Sequence, residues 1–173
     1  MTLPVDIKAW IRDVPDFPKP GVLFRDISPL LRHQFSEAIE AMYALYPEAF
    51  WETIDVIGGV ESRGFILASG LALRARKGFV PIRKAGKLPA PLLARRYGLE
   101  YGEDTLEIQP GQGRMLLVDD VLATGGTLAA AAELAADSGH SVMGLACLIN
   151  LAFLNQFIWR GIEPRAAATY ESC

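Results

Sequence analysis

The sequence predicts an α/β fold in which a parallel twisted sheet is flanked by helices, and three observations carry that expectation. Short apolar runs at Ile54 to Val60, Phe79 to Ile82, Met115 to Val118 and Val142 to Ile149 read as buried strands. Between them lie stretches with helix-forming character, Phe65 to Ala75 and an alanine-rich run ending near Gly139. The links are short, so the crossovers should be right-handed and the sheet parallel, with ligands bound beyond the carboxyl ends of its strands.

Taken in order, Val5, Ile7, Trp10, Ile11 and Val14 fall roughly on one helical face, and Pro15 ends that helix. The segment Pro15 to Gly21 holds too many prolines for a helix or a central strand and is expected to be an extended surface segment. A second amphipathic helix is expected from about Ser36 to Tyr46, with Ile39, Met42, Tyr43 and Tyr46 in register and Pro47 closing it. The strand Ile54 to Val60 then passes through a tight turn, Glu61-Ser62-Arg63-Gly64, into the helix Phe65 to Ala75.

After the strand Phe79 to Ile82 comes Arg83-Lys84-Ala85-Gly86-Lys87-Leu88-Pro89, a basic loop with glycine and proline breakers. β-prone stretches from Leu93 to Leu99 and from Thr105 to Ile108 flank Tyr101-Gly102-Glu103-Asp104, a hairpin end read as a mobile flap. The run Met115 to Val118 is expected to stop at Asp119-Asp120 and to pass through Thr124-Gly125-Gly126 into the alanine-rich helix. Val142 to Ile149 supplies the next strand.

Composition narrows the class. With 173 residues, 51% of them hydrophobic, and no repeat, low-complexity tract or linker, residues 1–173 read as a single domain. A net charge of −3 with mixed signs offers no field suited to a nucleic-acid backbone. The two cysteines, Cys147 in an apolar run and Cys173 at the end, fit neither a disulfide framework nor a metal cluster, which suggests a reducing compartment. The start Met1-Thr2-Leu3-Pro4 lacks the basic and apolar regions of a secretory signal, and no apolar run approaches membrane-spanning length. A soluble cytoplasmic protein without nucleic-acid or membrane partners is therefore expected.

The strongest chemical signal is Val118-Asp119-Asp120-Val121-Leu122-Ala123-Thr124-Gly125-Gly126-Thr127, in which two carboxylates leave a strand and a small-residue turn opens a helix. Glycines let successive N–H groups of Ala123 to Thr127 curl around one phosphate, the helix N-terminus adds positive potential, and Thr124 and Thr127 add hydroxyl donors. Asp119 and Asp120 would repel a phosphate but suit sugar hydroxyls and positive charge developing at an anomeric carbon. A phosphorylated sugar matches all of these parts. The alternative is that the aspartates merely solvate a strand end while Thr124 caps an ordinary helix.

This segment resembles the phosphoribosyl diphosphate signature of the type I phosphoribosyltransferases. Further matches to their adenine-specific branch are Phe17 to Pro29, Glu61-Ser62-Arg63-Gly64-Phe65, Arg83 to Pro89 and Leu99-Glu100-Tyr101-Gly102. The resemblance runs from about Val14 to Asn150 and weakens from Leu151, where a glycine expected near Asn155 is missing.

The resemblance implies the type I fold with an N-terminal hood, residues 1–35, and a basic loop and flexible flap at about 83–108. It implies purine salvage, the transfer of a phosphoribosyl group from phosphoribosyl diphosphate to N9 of adenine, giving AMP and diphosphate. Within it, Glu100 is the general acid and Tyr101 helps to close the flap. Glu61, Ser62, Arg63, Arg83, Lys84 and Lys87 meet the diphosphate, and Glu61-Ser62 is where a cis peptide is expected. Phe24 and Val121 enclose the purine, and main-chain groups of Val22 and Arg25 read its edge. Mg2+ bound through substrate and water, without direct protein ligands, and a homodimer are also implied. Rival readings are transfer to another purine base, or a non-catalytic sensor of phosphoribosyl diphosphate or a nucleotide.

Overall fold

A computed structural model of the protein describes residues 5–99 and 102–173. Its core is a seven-stranded sheet built from β3 (Val56–Val60), β4 (Gly78–Lys84), β5 (Leu93–Leu99), β6 (Gly102–Ile108), β7 (Gly113–Leu122), β8 (His140–Leu151) and β9 (Arg165–Tyr170), in the order β5-β6-β4-β3-β7-β8-β9. The run from β4 to β9 is parallel, and the β5-β6 hairpin joins its edge antiparallel through β4. A separate two-stranded antiparallel sheet pairs β1 (Arg12–Pro15) with β2 (Leu23–Asp26).

Helices cover both faces. Strand β7 shows why: Leu116 and Val118 enter one core cluster, with Leu67 and Leu71 of α4 (Arg63–Ala75) and Ile39 and Met42 of α2 (Phe35–Tyr43). Met115 and Leu117 enter the other, with Leu128 and Leu134 of α5 (Gly126–Asp137). A strand buried on both faces needs a continuous apolar run rather than alternation, which is what Met115 to Val118 supplies. The first cluster also takes Ile7, Ile11, Ile27 and Leu30, which seat the N-terminal segment on the body of the fold.

Several sequence expectations change. The N-terminal helix shrinks to a 3-10 turn at Ile7–Trp10, because Val14 precedes a proline and the following backbone pairs with β2 instead. The segment of α1 (Ser28–His33) was not anticipated. Helix α2 ends at Tyr43, and Pro47 opens a further short helix, α3 (Glu48–Thr53), in which Phe50 N bonds Pro47 O at 2.9 Å. Arg83 and Lys84 lie within β4, held by pairing to Glu107 and Leu106, so the basic loop starts after them. Strand β7 does not stop at Asp119-Asp120, since β8 continues to pair with it as far as Leu122. Strand β9, alanine-rich and at the sheet edge, carries little β-propensity to announce it.

Candidate active site

The chain leaves β3 through α4 to β4 on one side and leaves β7 through α5 to β8 on the other. Strand order therefore reverses between β3 and β7, and the crevice beyond their carboxyl ends is where an open α/β sheet places its ligand. Glu61-Ser62-Arg63 follows β3 there, and Asp119, Asp120 and the turn to α5 end β7. The Glu61–Ser62 peptide is cis, at the position expected.

The two strand ends approach closely because Gly64 lacks a side chain. A Cβ on Gly64 would stand 2.9 Å from Asp119 Oδ1 and 3.3 Å from Asp119 Cα, so α4 could not start so near β7 with any larger residue. That approach brings Arg63 Nε within 2.6 Å of the buried Asp120 Oδ2, an ion pair that spans the two strand ends. Asp119 Oδ1 accepts from Asp120 N–H at 2.8 Å. Burial, reinforced by the Asp120 charge, raises the Asp119 carboxyl well above its ordinary range, while Arg63 partly opposes this. Both aspartates are 8% exposed, so the reading that they merely solvate a strand end does not hold.

The turn Val121 to Leu128 encloses a hollow of about 60 Å³. Gly125, at φ +96, serves as the N-cap of α5 and no side chain caps the helix, so Thr124 is not an ordinary helix cap. The twelve-residue helix keeps the N–H groups of its first turn for an external acceptor, and an anion is the ligand that such a hollow suits. A Cβ built on Gly126 would stand 3.5 Å from Gly98 O of β5, close to Tyr97, and Asp104 of the same hairpin pairs with Lys84 Nζ at 2.9 Å. The edge hairpin is thereby tied to the hollow.

Glu61 gathers the basic residues. Its carboxylate accepts from Lys84 N–H at 2.9 Å, contacts Arg83 Nε at 3.4 Å and pairs with Lys87 Nζ. Burial pushes the Glu61 carboxyl up, but the bonds from Lys87, Lys84 N–H and Arg83 outweigh it and leave the group below its usual value. Arg83, Lys84 and Lys87 thus stand at one edge of the crevice, each paired with a carboxylate.

On the other edge, the guanidinium of Arg63 lies 5.0 Å from the ring centre of Phe24. Phe24 meets Phe17 edge to face, with centroids 5.0 Å apart, and both line a cleft of about 470 Å³ with Val14, Leu31, Arg63 and Ile66. Arg12 joins this lining and pairs with Asp26 at 2.7 Å. Arg25 turns its side chain away, to Asp13 Oδ1 at 2.5 Å and over the Tyr170 ring at 4.1 Å. Val22 N–H donates to Lys19 O at 3.3 Å, and Val22 O accepts from Phe17 N–H at 3.2 Å. Val121 lines the hollow rather than the Phe24 cleft. Glu100 and Tyr101 lie outside the described residues.

Residues missed in the sequence include Ile66, Arg12 and Asn155, whose Nδ2 donates to Ala123 O at 2.7 Å behind the turn. No local pattern distinguishes them, since each acts across a long sequence separation. Among the described residues, no three His, Cys, Asp or Glu side chains cluster as a metal site.

The family model for the phosphoribosyl transferase domain matches residues 30–152. An adenine phosphoribosyltransferase of Bdellovibrio bacteriovorus is 51% identical over 167 residues, covering 96% of this chain and all of the relative. The solved adenine phosphoribosyltransferase of Rhodothermus marinus superposes with a TM-score of 0.84 at 43% identity, covering 95% of this chain and 96% of its own. The Saccharomyces cerevisiae enzyme, solved with adenine and an imino-altritol bisphosphate, gives 0.82 at 38% identity, covering 93% of this chain and 94% of its own. The chain belongs to the adenine phosphoribosyltransferases, within the phosphoribosyltransferase family.

Proposed function

We propose that this protein serves purine salvage by transferring the phosphoribosyl group of phosphoribosyl diphosphate to N9 of adenine, with Asp119, Asp120 and the turn Ala123 to Thr127 as the centre of its site. The carrying observation is the convergence, at one switch point, of two buried carboxylates with an anion hollow on one side and Arg63 on the other. The 5-phosphate sits in the hollow, on backbone N–H groups and the hydroxyls of Thr124 and Thr127. The ribose hydroxyls lie on Asp119 and Asp120. The diphosphate leaves toward the turn Glu61-Ser62-Arg63 and the cations Arg83, Lys84 and Lys87, with guanidinium geometry matching its oxygens.

In this reading the bond from the anomeric carbon to diphosphate loosens first, and adenine N9 attacks from the opposite face. The carboxylates stabilise the positive charge that builds on the sugar. The purine lies against Phe24, in reach of main-chain groups of Val22 and Arg25 and with Val121 beyond it. Glu100 gives a proton to the purine ring nitrogen in the reverse direction and takes it up in the forward one, while Tyr101 helps to cover the site. Water is kept from the sugar by the hood, residues 1–35, and by the flap at about 83–108.

Mg2+ would be held through water by Asp119 and Asp120 and would supply positive charge to offset that of the leaving diphosphate. The residues fit such an ion through water, since Asp119 and Asp120 offer hard carboxylate oxygens at the crevice, Asp120 Oδ2 being held by Arg63 at 2.6 Å. A single domain over residues 1–173, a cytoplasmic location and a homodimer complete the proposal. The exposed apolar side chains Ile66 and Leu73, seven residues apart on α4, support a protein partner along that helix. No helix among the described residues is long and apolar enough to cross a membrane.

The test is a product assay with Mg2+, phosphoribosyl diphosphate and, separately, adenine, guanine, hypoxanthine or xanthine. AMP from adenine alone is the expected outcome. Turnover of another base instead would overturn the base assignment, and binding without turnover would point to a sensor.

A further inference from the structure

Behind the hollow, the chain after β8 forms a buttress. Asn155 Nδ2 lies 2.7 Å from Ala123 O, 3.0 Å from Leu151 O and 3.1 Å from Asn150 Oδ1, and Asn155 Oδ1 accepts from Phe157 N–H at 3.2 Å. Three oxygens at one end of the carboxamide and an N–H at the other leave one orientation for it. The ring of Phe157 packs where Gly125 has no side chain: a Cβ there would come within 2.7 Å of Phe157 Cδ2. Asn155 and Phe157 line a neighbouring cleft with Asn150 and take no part in lining the hollow itself.

We infer that Asn155 is a positioning residue for phosphoribosyl binding, which sets the plane of the Ala123–Thr124 peptide so that Thr124 N–H faces the hollow. That peptide is trans, so its C=O and N–H point in opposite directions. Asn155 draws Ala123 O outward, and the N–H of Thr124 is thereby turned inward before any ligand arrives. A donor aimed in advance spares the reorganisation that binding would otherwise require. Asn155 lies just beyond residues 30–152, the stretch that the family model matches, so the turn is buttressed from outside that stretch. The inference rests on the phosphate reading of the hollow.

The experiment compares Asn155→Ala, Asn150→Ala and Thr127→Ala in steady-state kinetics and in direct titration with phosphoribosyl diphosphate, with melting temperatures confirming that each is folded. Asn155→Ser serves in place of the alanine variant should that one not fold. Losing one aligned hydrogen-bond donor is expected to weaken phosphoribosyl diphosphate binding about tenfold. In Asn155→Ala the KM for adenine should stay within about twofold. Asn150→Ala, which removes one of Asn155's other partners and leaves Ala123 held, should change either constant by less than about twofold.

A parallel rise in both substrate constants for Asn155→Ala, or an equal effect of Asn150→Ala, would overturn the inference in favour of general loosening. Weaker binding in Thr127→Ala with none in Asn155→Ala would sink the inference alone. Unchanged binding in both would remove the phosphate reading of the hollow, and the inference with it.

Discussion

Gly125→Ala probes the turn at the centre of the site, and its cost follows from two separate observations. Gly125 sits at φ +96, where an L-residue loses roughly 1–2 kcal/mol. Its added Cβ would also stand 2.7, 2.8 and 3.1 Å from Cδ2, Cγ and Cβ of Phe157, a degree of overpacking that costs about 1–3 kcal/mol. Together they remove about 2–5 kcal/mol, a large part of the 5–15 kcal/mol typical of a domain. Phe157→Ala would remove the contacts to Cδ2 and Cγ and keep only the looser one to its own Cβ, relieving most of the second cost and leaving the first.

Urea unfolding of the four members of this double-mutant cycle measures both terms. Gly125→Ala should cost about 1–2 kcal/mol in the Phe157→Ala background, so the two sites couple by about 1–3 kcal/mol. The same strain shifts the N–H groups of the hollow, so the KM for phosphoribosyl diphosphate should rise more than that for adenine. A cost below about 0.5 kcal/mol, or equal costs in both backgrounds, would refute the steric reasoning.

Asp119→Asn should lower turnover by about 100-fold or more, as loss of a charge acting on the transition state does, yet stabilise the fold at neutral pH. The folded carboxyl is raised, so the native state binds more protons than the unfolded one and stability falls as pH rises from about 4 upward through the folded value. Melting temperatures of both proteins against pH should therefore diverge in the variant's favour as pH rises, and a constant difference would contradict this. Glu61→Gln should release Arg83 and Lys87 from their carboxylate and lower the KM for phosphoribosyl diphosphate about two- to fivefold at low salt, the scale of a partly exposed pair, whereas a raised KM would show that Glu61 organises rather than competes. Cys147, buried and with its thiol pushed up to about 12, should resist thiol reagents in the native protein, while exposed Cys173 reacts; a count of one reactive thiol before unfolding and two after checks this.

Much of this site was legible in the sequence because its signals are local. A strand buried on both faces needs an unbroken apolar run, and a phosphate-curling turn needs small residues before a helix. Met115 to Thr127 shows both within one short stretch. Strand β9 was not legible, because Ala166 to Ala168 have little intrinsic preference for a strand and are placed by pairing with β8. The pairing of Arg63 with Asp120 depends on how closely Gly64 lets α4 approach β7, a contact fixed only once the sheet has formed. Asn155 is further still from any motif: its bond to Ala123 spans 32 residues, and an asparagine after a strand ordinarily signals no more than a turn. Capping by Thr124, plausible from sequence, gave way because the left-handed backbone at the turn moved the cap to Gly125.

The most direct measurement is a crystal structure of the protein with AMP bound. The account requires the phosphate on the N–H groups of residues 124–127, the ribose hydroxyls on Asp119 and Asp120, and the purine against Phe24. AMP bound elsewhere, or with its phosphate on Arg83 and Lys87 and the hollow at Val121 to Leu128 left empty, would contradict it.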